Sequence, residues 1–209
     1  MSKPTALERA AEERFWRGVR SAQRFFMAQG EVHQALEKLA RTLDELGIPY
    51  AIVGAMALNE FGYQRTTVDV DVLLTAEGLA TFKDRVLGRG YVEKFPSSRG
   101  LRDTEHGVEI DVVLAGSYPG DGQPKPVVFP NPAHAAERGA RVSLLPLATL
   151  IELKLASGMT APHRLRDLAD VQELIRVQQL PREFGDGLNE FVRPKYLELW
   201  SAVSNAPRE

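Results

Sequence analysis

Aspartate is a poor strand former. Even so, the run Arg65-Thr66-Thr67-Val68-Asp69-Val70-Asp71-Val72-Leu73-Leu74 sets two of them at alternate positions among β-branched and aliphatic residues. Alternate side chains of a strand share a face, so Arg65, Thr67, Asp69 and Asp71 are expected on one side and Thr66, Val68, Val70 and Val72 on the other. Two carboxylates so placed repel each other. A strand that accepts both usually has a cation to hold them together, and a hard ion that prefers oxygen ligands, Mg2+ or Mn2+, is the natural choice. The plain alternative is a solvated strand face, apolar inward and polar outward. A further acid stands in Gly107-Val108-Glu109-Ile110-Asp111-Val112-Val113-Leu114, where Glu109, Asp111 and Val113 share a face. A carboxylate delivered by this separate strand could complete a two-metal site.

These acids need elements to position them. An apolar strand, Tyr50-Ala51-Ile52-Val53, leads into Gly54-Ala55 and a short helix over Met56–Phe61 that Gly62 closes. Small residues at a strand-to-helix turn let a backbone come close to a phosphate, although many such glycines serve turn geometry alone. The chain from Gly54 to Asp69 is long enough for that helix and a return. The turn and the carboxylates can then lie near one end of adjacent strands. Downstream, the residues read as a helix over Glu77–Leu87, short strands at Tyr91–Phe95 and Leu101–Thr104, and a strand at Val108–Leu114. A Gly- and Pro-rich loop over Gly116–Pro132 and a short strand around Arg141–Leu145 follow. Two helices come next, Leu147–Ala156 and Pro162–Val177, with Ser157-Gly158-Met159-Thr160 as the joint between them, and a mixed helical end from Pro181. Ahead of the strands, residues from Pro4 to Leu46 read as helical with a break near Gly30. Val32, Leu36, Leu39, Leu43 and Leu46 form an amphipathic stripe that Gly47 stops. The expected fold class is α+β, a mixed sheet with flanking helices, divided into an N-terminal helical segment (1–47), a core (48–146) and a C-terminal helical segment (147–209).

Bulk properties exclude several chemistries. The 209 residues contain no cysteine, so disulfides, thiolate metal sites and thiol nucleophiles are ruled out. A formal net charge of -2 argues against a polycation that coats nucleic acid indiscriminately, while leaving Arg164 and Arg166 as a local basic patch. His33, His106, His134 and His163 are scattered without metal-ligand spacing and receive no role. No stretch reaches the ~20 apolar residues of a membrane helix, and the N-terminus lacks an apolar signal core, so a cytoplasmic protein with no membrane partner is expected.

Taken together, Val53-Gly54-Ala55-Met56-Ala57-Leu58, then Gly62-Tyr63-Gln64-Arg65-Thr66-Thr67-Val68-Asp69-Val70-Asp71, then Glu109-Ile110-Asp111 resembles the DNA polymerase beta-like nucleotidyltransferase superfamily. Within it, the chain looks most like the bacterial abortive-infection, type IV toxin-type enzymes. These carry a helical Lys and a basic-Asp-x-x-Asp segment, matched here by Lys154 and by Arg164-Leu165-Arg166-Asp167-Leu168-Ala169-Asp170. The resemblance spans about Tyr50 to Ile175. It implies a nucleotidyltransferase-type sheet and Mg2+- or Mn2+-dependent transfer of a nucleoside monophosphate from a triphosphate such as ATP to an acceptor hydroxyl. Asp69, Asp71 and Asp111 would be the metal-binding and catalytic carboxylates, with Asp111 preferred over Glu109 on the family pattern. Gly54, Ala55, Arg65, Thr67 and Lys154 would contact the nucleotide. The acceptor is RNA, protein or a small molecule, and an antitoxin or other protein partner is an added expectation. Many members have Gly-Ser or Gly-Gly where this chain has Gly54-Ala55. That difference supports an alternative, a catalytically silent nucleotidyltransferase-fold module for binding or toxin-antitoxin pairing. The residues alone give blander readings of the helical cluster. A lysine in an apolar helix commonly snorkels to solvent, and Arg164, Arg166, Asp167 and Asp170 suit helix-surface ion pairs.

Overall fold

The structure, a computed structural model, describes residues 30–206. The helix expected over Ala6–Met27 lies outside them. The first described element, α1 (residues 30–45), is already helical at Gly30. It buries Val32, Leu36, Leu39 and Leu43 as the stripe requires, with Leu46 packed at the edge of the core. It ends in a left-handed Gly47, whose N–H bonds to Asp44 while that of Ile48 bonds to Leu43, so two terminal carbonyls are satisfied.

The chain continues through β1 (Ala51–Val53), α2 (Gly54–Glu60), β2 (Asp69–Leu74), α3 (Ala76–Val86), β3 (Tyr91–Glu93), β4 (Leu101–Asp103) and β5 (Glu109–Leu114). After a loop come α4 (Pro132–Ala135), β6 (Glu137–Arg138), β7 (Ser143–Leu144), α5 (Leu147–Thr160), α6 (Leu165–Val177) and α7 (Arg193–Asn205). The seven strands form one mixed sheet in the order β3-β4-β5-β2-β1-β7-β6. At its centre β2 runs antiparallel to β1 and parallel to β5, and β1 runs parallel to β7. The fold is therefore the expected α+β type with a mixed sheet and flanking helices. Val70, Val72, Ile110 and Val112 turn into a core that also takes apolar side chains from α1, α5, α6 and α7.

Three details depart from the sequence reading. First, β2 begins at Asp69 rather than Thr66, because the preceding residues are held elsewhere: the Arg65 N–H donates to Asn59 Oδ1 at 2.6 Å. Second, α5 continues through Ser157-Gly158-Met159-Thr160, where a joint was expected. Gly158 is there for close packing: a β-carbon at this position would lie 2.5 Å from Leu168 Cγ of α6. Third, α4 and β6 were not expected; β6 pairs with β7, the short strand expected around Arg141–Leu145, and makes an edge of the sheet. Among the described residues, no helix is long and apolar enough to cross a membrane.

Candidate active site

The sheet brings the acidic residues to one place by register. Val53 of β1 pairs with Asp71 of β2, Asp71 pairs with Asp111 of β5, and Asp69 pairs with Glu109. Paired positions on neighbouring strands point to the same face, with the strands about 4.8 Å apart. Four carboxylates therefore occupy one end of one face. Burial, followed by repulsion from Asp69 and Asp111, pushes the Asp71 carboxyl up to about 6, and Lys154 and Arg65 offset this only in part. Asp69 accepts a hydrogen bond from the Thr67 hydroxyl. Among the described residues, no ion pair joins Asp69 or Asp71 to a protein cation. This surplus of negative charge fits a divalent cation held by Asp69 and Asp71.

Gly54 is shaped by the same neighbourhood. Its φ is +64°, a conformation that L side chains rarely adopt, and a β-carbon would lie 2.6 Å from Asp71 Cγ and closer still to Oδ2. The glycine thus allows the β1–α2 turn to press against the carboxylate. Ala55 beside it is buried at the start of α2.

A set of cations lies behind the acids. Lys154 of α5 turns inward and is only 6% exposed, so the snorkelling alternative is overturned. Its ammonium donates to Asp170 at 2.7 Å and to Asp167 at 3.0 Å, both on α6. Arg65 donates to the same Asp170 oxygen at 2.6 Å across 105 residues of chain. Asp170 is 1% exposed, and among the described residues its second oxygen has no hydrogen-bond partner, nor has the Arg65 Nε. Asp167 also accepts from the Ser157 hydroxyl at 2.7 Å and pairs with Arg164 at 3.4 Å. The burial that would raise its carboxyl is outweighed by these cations and hydrogen bonds, which hold it below the usual carboxylate range. The surface-pair reading is therefore corrected for Asp167 and Asp170. Both face inward because α6 packs closely on α5 at Gly158, while Arg166 stays exposed.

Between the two groups lies a cleft of about 570 Å³. Gly54, Ala55, Arg65, Thr67, Asp69, Asp71 and Lys154 line it. Tyr118 and Phe129 form an aromatic wall, and Arg99 and Arg164 add charge. Asp111 is outside this lining. Its side chain is 47% exposed and takes an ion pair from Lys94, a residue to which the sequence reading gave no role. Elsewhere, Asp103, Glu105 and His106 bring three potential ligand atoms within 4.8 Å of one another; Asp69, Asp71 and Asp111 are not drawn together so closely. That trio is tied to Lys38 of α1, which pairs with Asp103 at 2.5 Å and Glu105 at 3.0 Å. It fastens α1 to β4. The sequence reading gave His106 no role; the run Asp103-Thr104-Glu105-His106 is the local signal it passed over, and the link to α1 had none.

No family model matches the chain, and no curated protein does. Solved structures do. The crystal structure of ANT(2″)-Ia in complex with adenylyl-2″-tobramycin superposes with a TM-score of 0.50 at 13% identity, over 82% of this chain and 95% of that one. The solution structure of the antibiotic-resistance factor ANT(2″)-Ia gives a TM-score of 0.51 at 14% identity, over 84% and 96%. The likeness reaches nearly the full length of ANT(2″)-Ia at low sequence identity. The chain has a nucleotidyltransferase fold.

Proposed function

We propose that this protein is a metal-dependent nucleotidyltransferase. In this reading it moves a nucleoside monophosphate from a nucleoside triphosphate to an acceptor hydroxyl. The observation that carries the reading is the cleft itself. Asp69 and Asp71 present carboxylates without an ion pair among the described residues on one wall, Gly54 is closed against Asp71, and Lys154 and Arg65 stand on the other side.

A divalent cation held by Asp69 and Asp71, Mg2+ or Mn2+, would neutralise triphosphate charge and align the α-phosphorus. The backbone at Gly54-Ala55 lets the phosphates come close. Arg65 and Lys154, fixed by Asp170, orient them at little entropic cost because burial already immobilises both side chains. Thr67 holds the Asp69 carboxylate through its hydroxyl. The Tyr118 and Phe129 wall suits a nucleobase. As the acceptor oxygen bonds to the α-phosphorus, the bond to the bridging oxygen of the β-phosphate breaks and pyrophosphate leaves. The acceptor proton passes to Asp111, the carboxylate beside Asp71 that is open to solvent.

The test is a transfer screen. Purified protein is mixed with each α-labelled triphosphate, Mg2+ or Mn2+, and RNA, protein and small-alcohol acceptors. Wild type should label one acceptor class. Asp69→Asn and Asp71→Asn should each lose at least about 100-fold of that rate, the scale for a group acting directly in catalysis, with unchanged circular dichroism. Full transfer by either variant would refute the metal assignment.

A further inference from the structure

The third acidic position already has a cation. Lys94, the residue after β3, places its ammonium 2.7 Å from Asp111 Oδ1 and 2.6 Å from Glu109 Oε2. This reach is built into the fold. The Lys94 N–H donates to Gly100 O at 3.1 Å, and the lysine stem passes over Gly100, where a β-carbon would come 2.8 Å from Lys94 Cδ. Among the described residues, Asp69 and Asp71 have no such partner. One ammonium set against two carboxylates offsets half of the charge at Asp111 and Glu109, whereas Asp69 and Asp71 keep all of theirs.

We infer that Lys94 is a positioning residue that competes with the divalent cation for Asp111. Asp69 and Asp71 bind the ion first, and Asp111 becomes available to it, or to the acceptor proton, only when Lys94 swings away. The lysine is 20% and the Asp111 side chain 47% exposed, and ion pairs of that kind are readily given up. The inference rests on the reading that Asp69 and Asp71 bind a divalent cation.

Mn2+ binding followed by electron paramagnetic resonance, without nucleotide, tests it independently of turnover. Lys94→Met should tighten Mn2+ binding about five- to tenfold, the scale of a partly exposed pair acting on two carboxylates. Gly100→Ala keeps every charge but displaces the lysine stem, and should shift affinity in the same direction by a smaller factor. Asp111→Asn should leave the affinity of wild type within about twofold, yet erase the gain in the Lys94→Met background. The inference is overturned if Lys94→Met, folded by circular dichroism, binds Mn2+ as wild type does. It is equally overturned if Asp111→Asn weakens binding by the same factor with and without Lys94. Asp69→Asn separates the two claims: Mn2+ binding insensitive to that change sinks the underlying metal reading, whatever Lys94 does.

Discussion

Removing Asp170 should cost this protein more stability than removing any other carboxylate around the cleft. One Asp170 oxygen accepts from both Arg65 at 2.6 Å and Lys154 at 2.7 Å, and the residue is 1% exposed. Asp170→Ala strands these cations unequally. Lys154 keeps Asp167 at 3.0 Å, whereas Arg65 loses its one ion pair among the described residues. Breaking a buried pair from one side costs about 3–5 kcal/mol. The low end applies because Lys154 keeps a partner and Arg65 borders the cleft, so the expected loss is about 3 kcal/mol. For a chain of this size that corresponds to about 6–12 °C in Tm. Thermal unfolding by circular dichroism reads it directly. The double variant Arg65→Met/Asp170→Ala should recover part of the loss, because the stranded guanidinium is gone. A Tm within about 2 °C of wild type for Asp170→Ala, or strict additivity in the double variant, would refute the argument that these buried charges hold one another in place.

Gly54→Ala combines a left-handed backbone, costing about 1–2 kcal/mol, with a collision against Asp71. It should lower Tm by a few degrees and transfer by about 100-fold, the scale of a displaced catalytic group, with both measured on one preparation. In metal-free protein, the Asp71 carboxyl at about 6 binds a proton in the folded state more tightly than in the unfolded one. Stability should therefore rise as pH falls from 7 to 5 in EDTA. Asp71→Asn should raise Tm at pH 7.5 and flatten that rise, as a pH series of melts will show. Asp103 behaves in the opposite sense. Burial would raise its carboxyl, but hydrogen bonds from Lys38 and His106 prevail and lower it. Its stabilisation is full above about pH 4, its unfolded value, and is lost as pH falls through the lower folded value. Asp103→Asn should lose stability at pH 7 and converge with wild type below about pH 3 in acid unfolding.

Much of this arrangement could be read from the residues because the decisive signals were local. The alternation in Val68–Leu74 and Val108–Leu114 requires two half-buried strands with acids on one face, and the structure has them in register. The stripe ending at Gly47 specified α1. Longer-range packing was not legible. Gly158 reads as a helix breaker by propensity, yet lies inside α5 because Leu168 needs the space where its side chain would be. Lys154 sits in an apolar helix and gives no local sign of turning inward; its reason is Asp170, which also answers to Arg65 far back in the chain. Lys94 carried no signal at all, since it reaches Asp111 only through the pairing of β3, β4 and β5.

The bond from Arg65 to Asp170 also has a bearing on the order of events during synthesis. The elements β1, α2 and β2, with the two aspartates of β2, leave the ribosome well before α6 exists. Nascent chains that have not yet delivered residue 170 have the acidic half of the cleft without the carboxylate that steadies Arg65 and Lys154. Whatever the finished pocket binds, it cannot be complete until α6 has emerged and docked on α5, so a chain interrupted before that point yields an acidic sheet rather than a partly working pocket.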